Sequence, residues 1–109
     1  MEDTRVTFET AKLAKEKGFE FKVVWEYILG FENNYERDKY LPTQSLLAKW
    51  LREEHNIIVL VDYEGIDGYY YKFYSYKEGN KNYDASDKNY NTYEEAYEIG
   101  LQEALKLIK

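Results

Sequence analysis

Two strand-like runs joined by a glycine-containing turn dominate the middle of the chain. Residues 57–61 form an unbroken apolar run of mostly β-branched side chains, which pack well on a pleated surface. Because this run is apolar on both faces, we expect it to be a central strand rather than an edge strand. The turn at residues 64–68 carries two glycines, which tolerate the positive φ of a tight hairpin. A second strand is predicted for residues 69–76.

The second strand has aromatic side chains on both of its faces. Tyr69, Tyr71 and Phe73 share one face, which we expect to meet the core. A strand this rich in phenols is not expected to be fully buried, because each hydroxyl needs a hydrogen-bond partner. The other face is therefore expected to be a wet aromatic surface or a contact surface. Its residues are Tyr70, Lys72, Tyr74 and Tyr76.

Three segments carry the apolar spacing and the end signals of amphipathic helices. The first is predicted to follow an N-cap at Thr7, and the last an N-cap at Thr92. For the middle helix the cap is Thr43 or Ser45, just after a proline that suits a first turn. The three predicted helices cover residues 8–17, 43–55 and 93–109.

The remaining segments are predicted from alternation and polarity. Apolar and polar side chains alternate along residues 19–29, which predicts a half-buried strand. Residues 30–41 are polar and predict a loop with room for one helical turn. Residues 77–91 are rich in glycine, asparagine and aspartate, and predict a second loop. Residues 1–6 are expected to form a flexible arm.

The resulting order, α-β-α-β-β-α, predicts a single α+β domain over residues 1–109. The economical architecture has two layers, a three-stranded, mainly antiparallel sheet with three helices against one face. If the middle helix joins parallel neighbours, that crossover is expected to be right-handed. The second face of the sheet would then be uncovered and rich in tyrosine and lysine.

Composition and charge narrow the chemistry. The 15 basic and 21 acidic residues give a formal charge of −6, which weakens the case for general binding to a phosphate backbone. The chain has no cysteine and one histidine, His55, so a thiol nucleophile or a site with two or three histidines is excluded. The phosphate-loop, dinucleotide and nucleophile-elbow motifs are also missing. We therefore expect a non-enzymatic protein with no cofactor and no metal site.

The absence of cysteines also fits a reducing compartment. No apolar run is long enough for a membrane span, and the N-terminus shows no secretion signal. We therefore expect a cytoplasmic protein.

Three segments resemble a known family. They read TAKLAKEKGF at residues 10–19, PTQSLLAKWLREEHNI at 42–57 and NTYEEAYEIGLQEALKLI at 91–108. Together they look like a family of small hypothetical proteins encoded by bacteriophages and mobile elements of gut bacteria. The resemblance covers well over half of the chain and implies a phage or prophage origin, hence the cytoplasm of a bacterial host. It implies no activity and no catalytic residues.

The leading functional hypothesis concerns the tyrosines. Tyrosine gives a large, rigid contact area with few torsions to freeze, so Tyr70, Lys72, Tyr74 and Tyr76 are a candidate surface for a protein partner or a second copy in a homodimer. The competing interpretation is that cross-strand aromatic pairs only stabilise the sheet.

Two further hypotheses stay open. A helix followed by a two-stranded hairpin imitates a winged-helix nucleic-acid binder. A pocket lined by aromatic side chains would instead make a small-ligand-binding or sequestering protein. The residues of the alternative nucleic-acid surface are Thr43, Gln44, Ser45, Lys49 and Arg52.

Overall fold

The computed structural model describes residues 4–77 and 80–108, and this part of the chain is α+β with a three-stranded antiparallel sheet, as predicted. The predicted element order fits roughly: the described residues form five helices instead of three, and the third strand follows the central hairpin rather than preceding the middle helix. The helices are α1 (Phe8–Glu16), α2 (Trp25–Leu29), α3 (Asn34–Asp38), α4 (Gln44–His55) and α5 (Tyr93–Leu105). The strands are β1 (Ile57–Tyr63), β2 (Tyr69–Lys77) and β3 (Asn80–Ala85).

The ends of the three long helices follow the predicted caps. The hydroxyl groups of Thr7, Thr43 and Thr92 each accept a hydrogen bond from a backbone N–H in the first turn of the helix that follows. Asn56 takes a left-handed conformation with φ 56°, which ends α4 and starts β1 without a linker. No helix in the described ranges is long and apolar enough to cross a membrane.

The sheet is a meander in the order β1-β2-β3, so the central strand is β2. The prediction of a central position for residues 57–61 is wrong, because β1 is an edge strand of the sheet that the described residues form. Ile57 and Val59 are buried on the inner face, while Ile58 and Leu60 keep 42% and 41% exposure on the other face. The double-sided apolar pattern therefore reflects one buried face and one exposed apolar face.

The inner face of the sheet is covered by α5, and α4 packs against both α5 and β1. Gly100 allows the close approach of α5. A Cβ added there would lie 2.8 Å from Tyr71 Cβ and 3.2 Å from Val59 Cγ1. The molecule measures 38 × 38 × 22 Å, and its short dimension is that of one helical layer on one sheet.

A polar contact fastens the N-terminus of α1 to the other two long helices. One Glu98 oxygen accepts hydrogen bonds from the Thr7 N–H at 3.0 Å and from the Thr10 hydroxyl, and the other accepts from Gln44 Nε2 at 3.1 Å. Gln102 Nε2 donates to Thr10 Oγ1 at 2.8 Å. Thr10 and Gln44 are buried, so their polar atoms need these partners.

The strand predicted for residues 19–29 is wrong, because this segment is an irregular stretch followed by α2. Its aromatic side chains pack against helices instead of a neighbouring strand. The Phe19 ring meets Trp50 of α4 edge-on, with centroids 5.3 Å apart, and Trp25 stacks on Phe8 of α1 at 5.7 Å. Phe19 and Trp25 thus contact α4 and α1, and alternation alone cannot distinguish such contacts from sheet pairing. Within α2 the predicted faces are reversed, since Ile28 is buried and Leu29 is exposed.

The loop predicted for residues 77–91 is also wrong in part, because it contains β3. Both edges of a central strand need hydrogen-bond partners, and β3 supplies them to β2 although its side chains are mostly polar. Residues 78–79 of this segment lie outside the described residues.

The predictions for residues 1–6 and 30–41 need smaller corrections. Of the arm, residues 1–3 lie outside the described part. Val6 is buried, and its N–H donates to the Pro42 carbonyl at 2.9 Å. The Thr4 carbonyl accepts from the Gln44 N–H, so backbone hydrogen bonds hold the arm from residue 4 onward. The predicted loop at 30–41 contains a short helix, α3, which is capped by the Asn33 side chain.

We predict that Gly100→Ala destabilises the fold, although alanine is the better helix former. The added methyl group would force α5 away from Tyr71 and Val59, and this overpacking outweighs the gain in helix propensity. The expected loss is roughly 1 kcal/mol in the free energy of unfolding, measured by urea denaturation.

The control is Lys12→Ala, at an exposed position of α1, which we expect to change stability by less than about 0.5 kcal/mol. Stabilisation by Gly100→Ala would show that α5 does not depend on the missing side chain.

Candidate interaction surface

The side of the sheet that faces away from α5 is called the outer face here. Its composition follows from strand alternation and from the register that pairs Ile58 with Tyr74 and Tyr74 with Tyr83. The outer face consists of Ile58, Leu60, Asp62, Tyr70, Lys72, Tyr74, Tyr76, Lys81, Tyr83 and Ala85.

The outer face is exposed because the helices that pack on the sheet do so from the inner side. Tyr76 and Tyr83 each keep 57% of their surface exposed. On β1, Ile58 lies opposite Tyr74 and Leu60 lies opposite Lys72. A contiguous group of large apolar side chains on one rigid sheet is the kind of patch that marks interaction sites on soluble proteins.

A cross-strand aromatic pair lies at the centre of the outer face. The rings of Tyr74 and Tyr83 are 5.0 Å apart between centroids and tilted by 44°. Lys81 Nζ lies 5.5 Å from the Tyr74 ring centroid, within reach of a cation–π interaction. Such a pair stabilises β2 against β3, and it also holds both rings in position for a partner.

A small polar group lies at the end of the outer face next to the β1–β2 turn. Asp62 Oδ2 is 3.3 Å from Lys72 Nζ and accepts a hydrogen bond from the Tyr70 hydroxyl at 3.4 Å. The backbone N–H of Tyr63, followed by Lys72, lowers the pKa of Asp62. Loss of hydration, followed by the Asp62 charge, raises the pKa of Tyr70. Because the ion pair of Asp62 with Lys72 is solvent-exposed, it orients these side chains more than it stabilises the fold.

A shallow cavity of about 350 Å³ opens on the opposite end of the outer face. It forms where α4 turns into β1, so the left-handed conformation of Asn56 shapes one wall. The residues that line this cavity are Asn56, Ile58, Tyr74, Ser75, Tyr76 and Lys81.

The four residues predicted for the contact surface all lie on the outer face, and their role in binding stays a prediction. Ile58, Leu60 and Tyr83 also belong to this surface, although the sequence does not predict them there. The two aliphatic residues were assigned to a central strand, and Tyr83 to a loop. No local signal identifies them, because membership of this surface depends on which strands pair with β2 and in which register.

The alternative nucleic-acid surface is not assembled in the predicted form. Gln44 is 3% exposed and its amide is engaged by Glu98 and by the Glu94 carbonyl, so it cannot reach a ligand. The Thr43 hydroxyl caps α4. Ser45, Lys49 and Arg52 are exposed at helical spacing along α4.

The described residues bring together no group of three or more histidine, cysteine, aspartate or glutamate side chains that could hold a metal ion. Comparison of the chain with protein-family models, with curated proteins and with solved structures finds no match in any of the three. Function is therefore argued from the geometry of the surface.

The phenol of Tyr71 lies on the inner face of the sheet, and its pKa is raised. Its ring lies against Gly100 of α5, and burial, followed by the Glu103 charge, raises the pKa of Tyr71 to about 12. A pKa raised in the folded state favours the protonated form there. Its contribution to stability is present below pH 10 and is lost as pH rises through 12.

We predict that Tyr71→Phe makes the loss of stability between pH 10 and 12 less steep, because the phenol that resists ionisation is gone. The measurement is urea denaturation at a series of pH values. Tyr35→Phe, at a side chain with 72% exposure, is the control for loss of a phenol. An equally steep loss in the Tyr71 variant would contradict the assignment.

Proposed function

We propose that this protein is a non-enzymatic interaction protein that binds a protein partner through the outer face. The observation that carries the proposal is the one-sided sheet, with helices on the inner face and a Tyr-, Ile- and Leu-rich outer face exposed to solvent. In this proposal the exposed phenols contribute recognition as well as sheet stability.

The chemistry of the outer face suits protein binding. Interface centres are enriched in tyrosine and depleted in unpaired charge. Here Tyr74 and Tyr83 lie at the centre, while the charge of Lys72 is matched by Asp62 toward one end. All of these residues are on strands, so little conformational entropy is lost when a partner docks.

A second copy of the chain is the partner that this face fits. The face carries charges of opposite sign at its two ends. Lys81 lies beside the cavity and forms no ion pair among the described residues. Glu64 lies in the β1–β2 turn at the other end, next to the ion pair of Asp62 with Lys72. A two-fold axis running across the strands brings the basic end of one copy toward the acidic end of the other. Symmetric dimers of this kind are the commonest soluble oligomers.

The biological setting is part of the proposal and is supported by sequence resemblance alone. The three segments that resemble small phage and mobile-element proteins suggest an accessory factor that acts in the cytoplasm of a bacterial host. A small accessory protein that acts by contact needs a rigid recognition surface rather than catalytic groups.

The test is sedimentation velocity over a wide range of protein concentrations. The wild-type chain is expected to form dimers. Tyr74→Ser combined with Tyr83→Ser removes the central aromatic pair and should weaken dimerisation about 100-fold, as expected for two interface hot spots. Tyr35→Ser is the control, because Tyr35 is an exposed tyrosine that lies on α3 and not on the outer face.

Two outcomes would contradict the proposal. One is a wild-type chain that stays monomeric up to about 1 mM, where even a binding free energy of about −4 kcal/mol would populate the dimer. The other is dimerisation that the double variant leaves intact while circular dichroism shows that the variant is folded.

A further inference from the structure

A groove on the helical side of the molecule has chemistry that the outer face lacks. Its volume is about 450 Å³, and it lies between the irregular stretch after α1 and the segment that leads into α4. Phe19 and Leu41 are buried at its base, while Phe21 and Leu46 form partly exposed walls. This size is within the range of sites that hold small organic molecules.

The N-terminal arm places a guanidinium group at this groove. Residues 4–6 run antiparallel to residues 42–44, because the Val6 N–H donates to the Pro42 carbonyl and the Gln44 N–H donates to the Thr4 carbonyl. Arg5 Nη1 then donates to the Leu41 carbonyl at 2.5 Å. This bond uses one of five guanidinium N–H groups and leaves the others for a ligand.

The charges around the groove favour an anion. Arg5, Lys22 and Lys39 line it together with a single carboxylate, Glu20, although the whole chain carries −6. Lys39 Nζ also forms an ion pair with Glu36 Oε2, at 3.3 Å. Among residues 4–77 and 80–108, Arg5 and Lys22 form no ion pair, so the groove keeps an excess of positive charge although Glu20 also lines it.

We propose that this groove binds a small aromatic carboxylate. The carboxylate pairs with the Arg5 guanidinium, whose planar donors match two carboxylate oxygens, and Lys22 adds a second positive charge. The aromatic body lies over Leu41 between Phe21 and Leu46, where ring stacking and burial of apolar surface add to the affinity. This site is separate from the outer face and does not depend on dimerisation.

The experiment compares naphthoate with naphthamide, a neutral analogue of nearly the same shape, by two-dimensional amide NMR. Naphthoate is expected to bind at least about tenfold more tightly, since charge-assisted hydrogen bonds are roughly twice as strong as neutral ones. The perturbed amides should be those of residues 19–23 and 39–46. Perturbation centred on Ile58 and Tyr76 would instead mean that the outer-face cavity is the binding site, and would overturn the proposal.

Variants test the two cations of the groove that form no ion pair among the described residues. Arg5→Gln keeps a donor for the Leu41 carbonyl but removes the charge, and it should weaken naphthoate binding about tenfold while leaving naphthamide binding unchanged. Lys22→Gln should have a smaller effect in the same direction. Lys12→Gln removes a charge from α1 outside the groove and is the matched control.

Equal binding of the two compounds, or unchanged naphthoate affinity in a folded Arg5→Gln variant, would overturn the proposal. The titration is repeated in the Tyr74→Ser, Tyr83→Ser background. Binding that survives there separates this site from the interaction surface, so either proposal can fail without the other.

Discussion

The contact between α5 and the sheet at Gly100 is the constraint on which the rest of the structure depends. A missing side chain lets the helix backbone approach Tyr71 and Val59, so one helix can bury the inner faces of both β1 and β2. The helix α4 packs beside α5, and Glu98 fastens the start of α1 to both. Because the long helices share this one layer, the opposite face of the sheet keeps four large side chains exposed, those of Ile58, Leu60, Tyr76 and Tyr83.

The features that could be predicted from the sequence are those determined locally. Thr7, Thr43 and Thr92 each satisfy backbone groups within one helical turn, and the two glycines of the β1–β2 turn take φ values of 67° and 95° within five residues. For the same reason the alternation along β2 assigned its four outer-face residues correctly. That assignment needs only the pleat of one strand.

The features that escaped prediction depend on distant partners. Alternating aromatic residues at 19–25 would fit a strand, but their rings pack against Trp50 of α4 and Phe8 of α1. The edge of β2 that faces away from β1 pairs with β3 through backbone groups. The Asn, Lys and Asp side chains of β3 give little strand signal. Consequently Tyr83 could not be joined to Tyr74 from the sequence, nor could β1 be recognised as an edge strand.

The outer face and the groove differ in chemistry, since the outer face carries phenols and aliphatic side chains and the groove carries an excess of positive charge. The central claim is that a second copy covers the outer face. Isotope-filtered NMR on a mixture of labelled and unlabelled chains tests it most directly, because it detects only contacts between copies. We expect cross-copy signals from the Ile58 and Leu60 methyl groups to tyrosine rings of the other chain. Cross-copy signals that arise solely from residues outside the outer face would contradict the claim.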